Sequence, residues 1–346
     1  MITTLLLIAG FLGQSEAPPP EIPVHGEPLT LEQALKYAEE NNERIGQAHA
    51  AVERARAQYW QAMSALLPRL DLSGTYIRRR NEATALNDAG ETVFFQRQNA
   101  LQSIAQLNMS VIRPDQYPRV SAATDEIDAS KQDAKNERLQ LRFDAAEQFF
   151  LLLARQGLAD AAKERVRVAQ SQVDEARARF EAGLAAANTV TRAELELATA
   201  KVTLTQSETE AQLARLQLSF LIGVDVQGEL VLPANGTATT SDPDRLIEVA
   251  RSERPDLRAL RYRKDAAESR QLAPLLDWLP ELSVRAFYSL TNEPGFGPND
   301  NYNFSATLGW QLFDGGARIA EDIQASADYQ DLTLQIRNLE RNIRLE

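Results

Sequence analysis

The sequence predicts a mainly α-helical chain with a small β part, in which long coiled-coil hairpins carry four β-strands of membrane-spanning length. Three observations predict it. Two heptad seams run for tens of residues, four short segments alternate apolar and polar side chains, and a weak internal repeat brings one helix–strand unit back a second time.

The repeat sets the organisation. Residues 29–76 align without gaps to residues 241–288 at an offset of 212. Leu35 falls on Ile247, Ala38 on Ala250, Ile45 on Leu257 and Ala55 on Ala267. Leu67-Pro68 falls on Leu279-Pro280 and Tyr76 on Tyr288, so each copy is a helical segment that ends in Leu-Pro and turns into alternation.

In the first copy Leu70, Leu72, Gly74 and Tyr76 share one face against Asp71, Ser73 and Thr75. A return segment sets Leu101, Ala105, Leu107, Met109 and Val111 against Gln102, Gln106, Asn108 and Ser110. The second copy has Leu282, Val284, Ala286 and Tyr288 against Ser283 and Arg285. Its return alternates from Tyr302 through Phe304, Ala306, Leu308 and Trp310 to Leu312. Each run has about ten residues, the length of a transmembrane β-strand. Alternation alone also fits half-buried hairpins on a soluble domain. The rest of the chain reads as helix and offers no other sheet for them to join. Four strands cannot close a membrane barrel, whose minimum is about eight, so the barrel must be shared between chains. Leu70, Leu72, Leu107, Met109, Leu308 and Trp310 are then expected to face lipid, and Asn108, Thr307 and Gln311 a lumen.

A helix is predicted over 115–182 on the spacing of Leu139, Phe143, Ala146, Phe150 and Leu153, resuming after a phase slip at Ala159, Ala162, Val166, Ala169, Val173, Ala176 and Phe180. A second seam runs from Ala193 through Leu197, Ala200, Leu204 and Ala214 to Leu221, giving a helix over about 189–221. The first helix would extend roughly 100 Å. Its return path is split by a linker carrying Gly223, Gly228, Pro233 and Asn235-Gly236, and a further helix is predicted over about 243–278.

Composition narrows the function. With 346 residues, 25% charged and 44% hydrophobic, the chain is ordinary for a folded protein. A formal charge of −12 argues against a nucleic-acid partner. There is no cysteine, which excludes disulfides, thiol catalysis, Cys-ligated zinc and a lipidated N-terminal cysteine. The two histidines, His25 in a Pro-rich lead-in and His49 in a helical pattern, supply no catalytic or metal constellation. No catalytic, cofactor-binding or metal-binding residue is therefore expected, and no cofactor. The N-terminus reads as a secretory signal over 1–17, with an apolar run from Ile2 to Gly13 and small residues at Ser15 and Ala17, although no Lys or Arg precedes the run and a proline follows Ala17. No other stretch is long enough for a transmembrane helix, so entry into a membrane would be as a β-barrel.

The residues also carry a family pattern. Leu29-Thr30-Leu31-Glu32-Gln33-Ala34-Leu35, then Glu40-Asn41-Asn42, then Leu66-Leu67-Pro68-Arg69-Leu70 resemble the start of a TolC-family outer-membrane efflux protein. Trp310-Gln311-Leu312-Phe313-Asp314-Gly315-Gly316 resembles that family's strand-to-helix junction. Phe180-Glu181-Ala182-Gly183-Leu184, followed by Val190 and Ala193, is similar to its helix–turn–helix tip. The resemblance covers residues 29 to 346. It implies a homotrimer whose twelve strands form one outer-membrane barrel in contact with lipid, continued by the helices as a periplasmic α-barrel. It further implies a periplasmic adaptor and an inner-membrane pump, proton-driven or ABC, in an efflux or type I secretion system of a Gram-negative bacterium. The adaptor would dock at Gly183, Leu184, Thr189 and Val190. Thr189 stands where the family often has Asp; it or Asn188 can still cap the second helix.

On this reading the chain divides into a signal peptide at 1–17 and a lead-in at 18–28. A first repeat follows at 29–221, with a β-hairpin at 68–112 and a tip near 183–189. An equatorial linker occupies 222–241 and a second repeat 242–346, with a β-hairpin at 280–313. From residue 313 the second copy has only 33 residues left, so its helical hairpin is expected to be mostly absent. The chain is then expected to be a fragment or a truncated, non-functional member of the family, and no gate residue is assigned. A periplasmic adaptor is the rival reading, but it would need many more short strands, and a secreted hydrolase would need a catalytic constellation. Arg78-Arg79-Arg80 follows the first strand, at the end where lipopolysaccharide phosphates would lie, or simply ends the apolar face. Gly295-Phe296-Gly297 reads as a loop tip. The helical acids, Glu164 and Glu194 among them, read as solvated faces with partners one turn on.

Overall fold

The computed structural model describes residues 24–86, 92–232, 242–293 and 298–345. The signal-peptide assignment, the Gly295-Phe296-Gly297 loop, Pro233 and Asn235-Gly236 lie outside the described residues. In chain order the elements are β1 (Val24–His25), β2 (Leu29–Thr30), α1 (Leu31–Asn41), α2 (Glu43–Ser64), β3 (Arg69–Arg78), β4 (Ala83–Leu86), β5 (Thr92–Gln96) and β6 (Asn99–Ile112). Then follow α3 (Gln116–Glu181), α4 (Ala187–Ile222), β7 (Asp225–Val226), β8 (Leu230–Val231), α5 (Pro243–Glu253), α6 (Pro255–Leu276), β9 (Glu281–Thr291), β10 (Asp300–Gly309) and α7 (Ala317–Asn342). The chain is mainly helical, with a four-stranded sheet, as its sequence predicts. It forms two units, one of residues 1–46 with 137–239 and one of 47–136 with 240–346.

The repeat is visible in the helix breaks. α1 ends at Asn42, and α5 ends at Arg254, 212 positions later. The sequence expectation of one helix over 243–278 is corrected here. Pro255 forces Arg254 to φ −59°, ψ 122°, and the helix restarts with Pro255 in its first turn. Asn42 takes a similar extended conformation, φ −77°, ψ 130°, without a proline. The starts correspond too. Thr30 and Gln33 form a reciprocal capping box on α1, and Asp242 accepts from the Asp244 N–H at 3.2 Å on α5.

In the first unit a core forms around Leu29, Ala34 and Ala38 with Leu141, Ala145, Phe149 and Leu152 of α3 and Ala214, Leu218 and Ile222 of α4. This differs from the seam read through Leu139, Phe143 and Phe150, which are exposed. α3 is apolar on two faces here. Its neighbours within the chain cover the Leu141–Phe149 face and leave the other open. Further along, Ala162, Ala169, Val173 and Ala176 are buried as read, though Phe180 is exposed. Ladders of ion pairs tie α3 to α4: Arg155 to Glu210, Arg165 to Glu196 and Arg177 to Glu194, at 2.5–2.6 Å. Glu194 thus pairs across the hairpin rather than along its own helix, while Glu164 pairs with Arg167 three residues on. Exposed pairs of this kind are screened by water and salt and add little to stability.

Asn41 and Asn42, read from the family pattern, have a physical task in this unit. Their side-chain amides donate to the last carbonyls of α4, Asn41 to Ile222 at 3.4 Å and Asn42 to Leu221 at 2.7 Å. α4 stops at Gly223, whose φ of 67° suits glycine. Short parallel pairings, β1 with β7 and β2 with β8, close the unit.

In the second unit the sheet has the order β10-β9-β6-β3, antiparallel throughout. α6 packs on α7 through small side chains, with Ala266, Ala267, Ala273 and Ala325 buried. Arg263 of α6 pairs with Glu126 and Asp133 of α3.

Candidate membrane and docking surfaces

Strand register sorts the sheet into two faces. Leu70 opposes Leu107, which opposes Ala286, which opposes Phe304. Leu72 opposes Ala105, Met109 opposes Val284, and Leu282 opposes Leu308. Because side chains alternate along a strand, these positions share one face with Tyr76, Tyr288 and Tyr302. That face is apolar and uncovered: Leu72 is 75% exposed, Phe304 72% and Leu308 70%. Contiguous apolar surface of this size marks an interaction surface.

The other face is polar and more enclosed. Asp71, Gln106, Phe287 and Asn303 form one row, and Arg69, Asn108, Arg285 and Ser305 the next. Asn108 accepts from Arg285 at 3.0 Å and from Gln106 at 2.8 Å, and Arg69 donates to Asp71 at 3.2 Å. Ile77, Ala100, Ile104 and Phe287 are apolar exceptions. β3 and β10 are the sheet's edges, and their outer N–H and C=O groups have no strand partner among the described residues.

Trp310 is corrected as a strand position, and Gln311 and Leu312 with it. β10 ends at Gly309, opposite Glu281. The residue that would face Trp310 is Pro280, which has no N–H to extend the ladder. Trp310 instead donates its indole N–H to the Trp278 carbonyl at 3.0 Å. The junction beyond explains the Asp-Gly-Gly pattern. Gly315 and Gly316 have φ of 73° and 95°, a conformation that glycine adopts without strain. Asp314 accepts from the N–H groups of Gly316 and Arg318, both at 2.9 Å. Those bonds, the Arg318 N–H first, hold its carboxyl below the usual carboxylate range. The Arg318 side chain is only 4% exposed. It bonds Asp277 at 2.5 Å and the Gln311 carbonyl at 2.7 Å, and lies over the Trp278 ring at 4.7 Å. The first copy repeats the device with Asp115, buried and paired to Arg119 four residues on. Sequence reasoning missed both arginines, although the Asp-to-Arg spacing of four was available.

Of the four residues assigned to the tip, Gly183 and Leu184 fall on the connection between α3 and α4, and Thr189 and Val190 at the start of α4. Gly183, at φ 75°, ends α3. Its N–H donates to the Phe180 carbonyl at 2.9 Å and that of Leu184 to Arg179 at 2.8 Å, the paired bonds of a Schellman stop. Leu184 is 81% exposed, so it makes none of the apolar contact that usually accompanies such a stop. The expected cap by Thr189 or Asn188 is not formed. α4 already begins at Ala187, with Ala186 as its cap residue, so Thr189 and Val190 lie inside the first turn. Thr189 is exposed and Val190 half-buried.

The family model of the outer membrane efflux protein matches residues 34–224, more than half of the chain. This chain belongs to the outer membrane efflux protein family. The fold agrees with solved channels at low identity. The CmeC outer membrane channel of Campylobacter jejuni is similar at a TM-score of 0.75 and 16% identity, over 89% of this chain and 67% of that one. The outer membrane protein VceC of Vibrio cholerae gives 0.70 and 18%, over 90% and 75%. The open-state MtrE outer membrane channel of Neisseria gonorrhoeae gives 0.66 and 15%, over 90% and 70%. No curated protein sequence matches this chain. The family is one of channel proteins. Among the described residues of this member, no helix is long and apolar enough to cross a membrane, and no group of His, Asp and Glu could hold a metal.

Proposed function

We propose that the chain is one subunit of an outer-membrane export channel in a Gram-negative bacterium. The observation that carries this reading is the four-stranded sheet, apolar on one face and polar on the other, with two open edges. In an antiparallel sheet of four, β3 and β10 run in opposite directions. β3 of one copy can therefore pair antiparallel with β10 of the next, and three copies close a ring of twelve strands. The apolar face, Leu70, Leu72, Leu107, Met109 and Leu308 included, lies against lipid. The polar rows around Asn108 and Thr307 line a lumen.

The helices continue the duct into the periplasm, and the open face of Leu139, Phe143 and Phe150 is covered by a neighbouring copy. The tip at Gly183, Leu184, Thr189 and Val190 docks a periplasmic adaptor, which links the channel to a proton-driven or ABC pump in efflux or type I secretion. Cargo is conducted without chemistry by this subunit.

The absence of cysteine gives a clean test. Single cysteines at Thr75 on β3 and Asn303 on β10, introduced together, should yield disulfide-linked dimers and trimers in isolated outer membranes. A double variant that stays monomeric under oxidation, in the membrane fraction, would defeat the shared-barrel reading.

A further inference from the structure

We infer that Arg78, Arg80 and Arg97 form a binding surface for the phosphates of a phosphorylated lipid headgroup of the lipid A class, at the outer rim of the sheet. The inference rests on the membrane reading above. β3 carries Leu70, Leu72, Gly74 and Tyr76 on its apolar face, and Arg78 is the next residue on that face. Backbone pairing continues past the strand end: the Arg79 N–H donates to the Gln98 carbonyl at 2.7 Å, and the Gln98 side chain donates to the Arg80 carbonyl at 3.4 Å. This brings the 78–80 and 97–99 segments side by side, with Arg78 opposite Asn99.

The arginine between them is used differently. Arg79 is half-buried, pairs with Glu293 and donates to the Arg97 carbonyl at 3.1 Å. Arg78, Arg80 and Arg97 are exposed, and among the described residues no carboxylate forms an ion pair with them. Glu82, two residues beyond Arg80, is exposed and makes no such pair either. A chain of net charge −12 thus gathers at one rim guanidinium groups that no described carboxylate neutralises. Like charges held together are unfavourable until an anion neutralises them. Guanidinium matches phosphate with paired, charge-assisted hydrogen bonds. Tyr76, two residues back on the same face, is of the type that sits at headgroup depth. A free phosphate ion would satisfy the same groups. The position at the end of an uncovered apolar face favours a phosphate anchored on an acyl lipid.

The test uses the full chain in detergent, titrated with mixed micelles holding diphosphorylated lipid A, fully dephosphorylated lipid A, or phosphatidylglycerol. The wild-type chain should prefer the diphosphorylated form over both others by roughly tenfold or more. The Arg78→Gln, Arg80→Gln, Arg97→Gln variant should lose that preference. A variant that keeps it, or a wild-type chain that binds phosphatidylglycerol as tightly, overturns the inference. Insertion into lipid vesicles is scored separately by protease protection. Failure to insert counts against the membrane reading, whereas insertion without headgroup preference counts against the arginine surface alone.

Discussion

The side-chain amide of Asn42 donates to the Leu221 carbonyl at 2.7 Å, while its Oδ1 accepts from the Arg44 N–H at 2.9 Å. One residue therefore ends α1, caps α2 and satisfies a carbonyl at the end of α4. Asn42→Ala removes both bonds and should destabilise the chain by about 1–3 kcal/mol. Asn42→Ser restores an acceptor for Arg44 and should recover part of that. Melting followed by circular dichroism in detergent would rank the three; equal melting of Ala and wild type would show the bonds to be idle.

Two glycines separate strain from collision. Gly183 and Gly223 both have positive φ, but a Cβ at Gly183 meets nothing within 4 Å, whereas one at Gly223 would stand 2.7 Å from the Asn41 Cβ. Gly183→Ala should cost about 1–2 kcal/mol from the left-handed backbone alone. Gly223→Ala adds overpacking and should cost about 2–4 kcal/mol. The measurement is the difference in melting temperature between the two variants.

The Arg318 knot predicts a pH dependence. Arg318→Ala leaves Asp277 and Asp314 without their cation and removes the guanidinium from the Trp278 ring, so it should lower the melting temperature, with Arg318→Lys intermediate because it cannot reproduce the fork. The Asp314 carboxyl is held low in the folded chain. Its contribution is therefore full above the unfolded carboxylate value of about 3.9 and is lost as pH falls through the lower folded value. Between about pH 5 and pH 3 the wild type should lose more melting temperature than Asp314→Asn. Parallel curves would remove the linkage.

Neighbouring positions test the two sheet faces. Leu308 and Thr307 are adjacent on β10 and point to opposite sides. Leu308→Arg should cost about 2–4 kcal/mol if it lies near the bilayer midplane, and Thr307→Arg far less. The yield of each variant in washed outer membranes reads this directly; equal losses would contradict a lipid-facing Leu308.

Leu184 tests the tip. Leu184→Asp changes an exposed side chain at a turn and should leave assembly untouched while weakening export when the adaptor and pump are co-expressed. Unchanged export would reduce the tip to a helix stop.

The repeat, the four strands and the α3–α4 hairpin were legible because local rules govern them. Alternation marks a strand, and Leu67-Pro68 and Leu279-Pro280 mark the two places where helix gives way to sheet. Errors arose where a choice depended on neighbours. Leu139, Phe143 and Phe150 share a helical spacing as good as that of Leu141, Ala145 and Phe149, and only the positions of α1 and α4 decide which face the chain itself covers. Alternation carries on through Trp310 and Leu312, but the partner strand is stopped by Pro280. Thr189 has cap chemistry, yet α4 begins before it. For Arg318 only the spacing of four from Asp314 was on view; its bond to Asp277, 41 residues away in sequence, was not.

The two helix breaks, 212 residues apart, also differ in how they can evolve. At Arg254 the break is written into the ring of Pro255, so exchange of residue 254 for another type keeps the kink. At Asn42 no ring enforces it, and the kink depends on an amide that must both give and accept. A mutation at position 254 leaves the backbone break in place but gives up the guanidinium's pairing with Asp256, while one at position 42 puts the break itself at risk. The two breaks are thus held by different means, one by a proline ring and the other by side-chain hydrogen bonds.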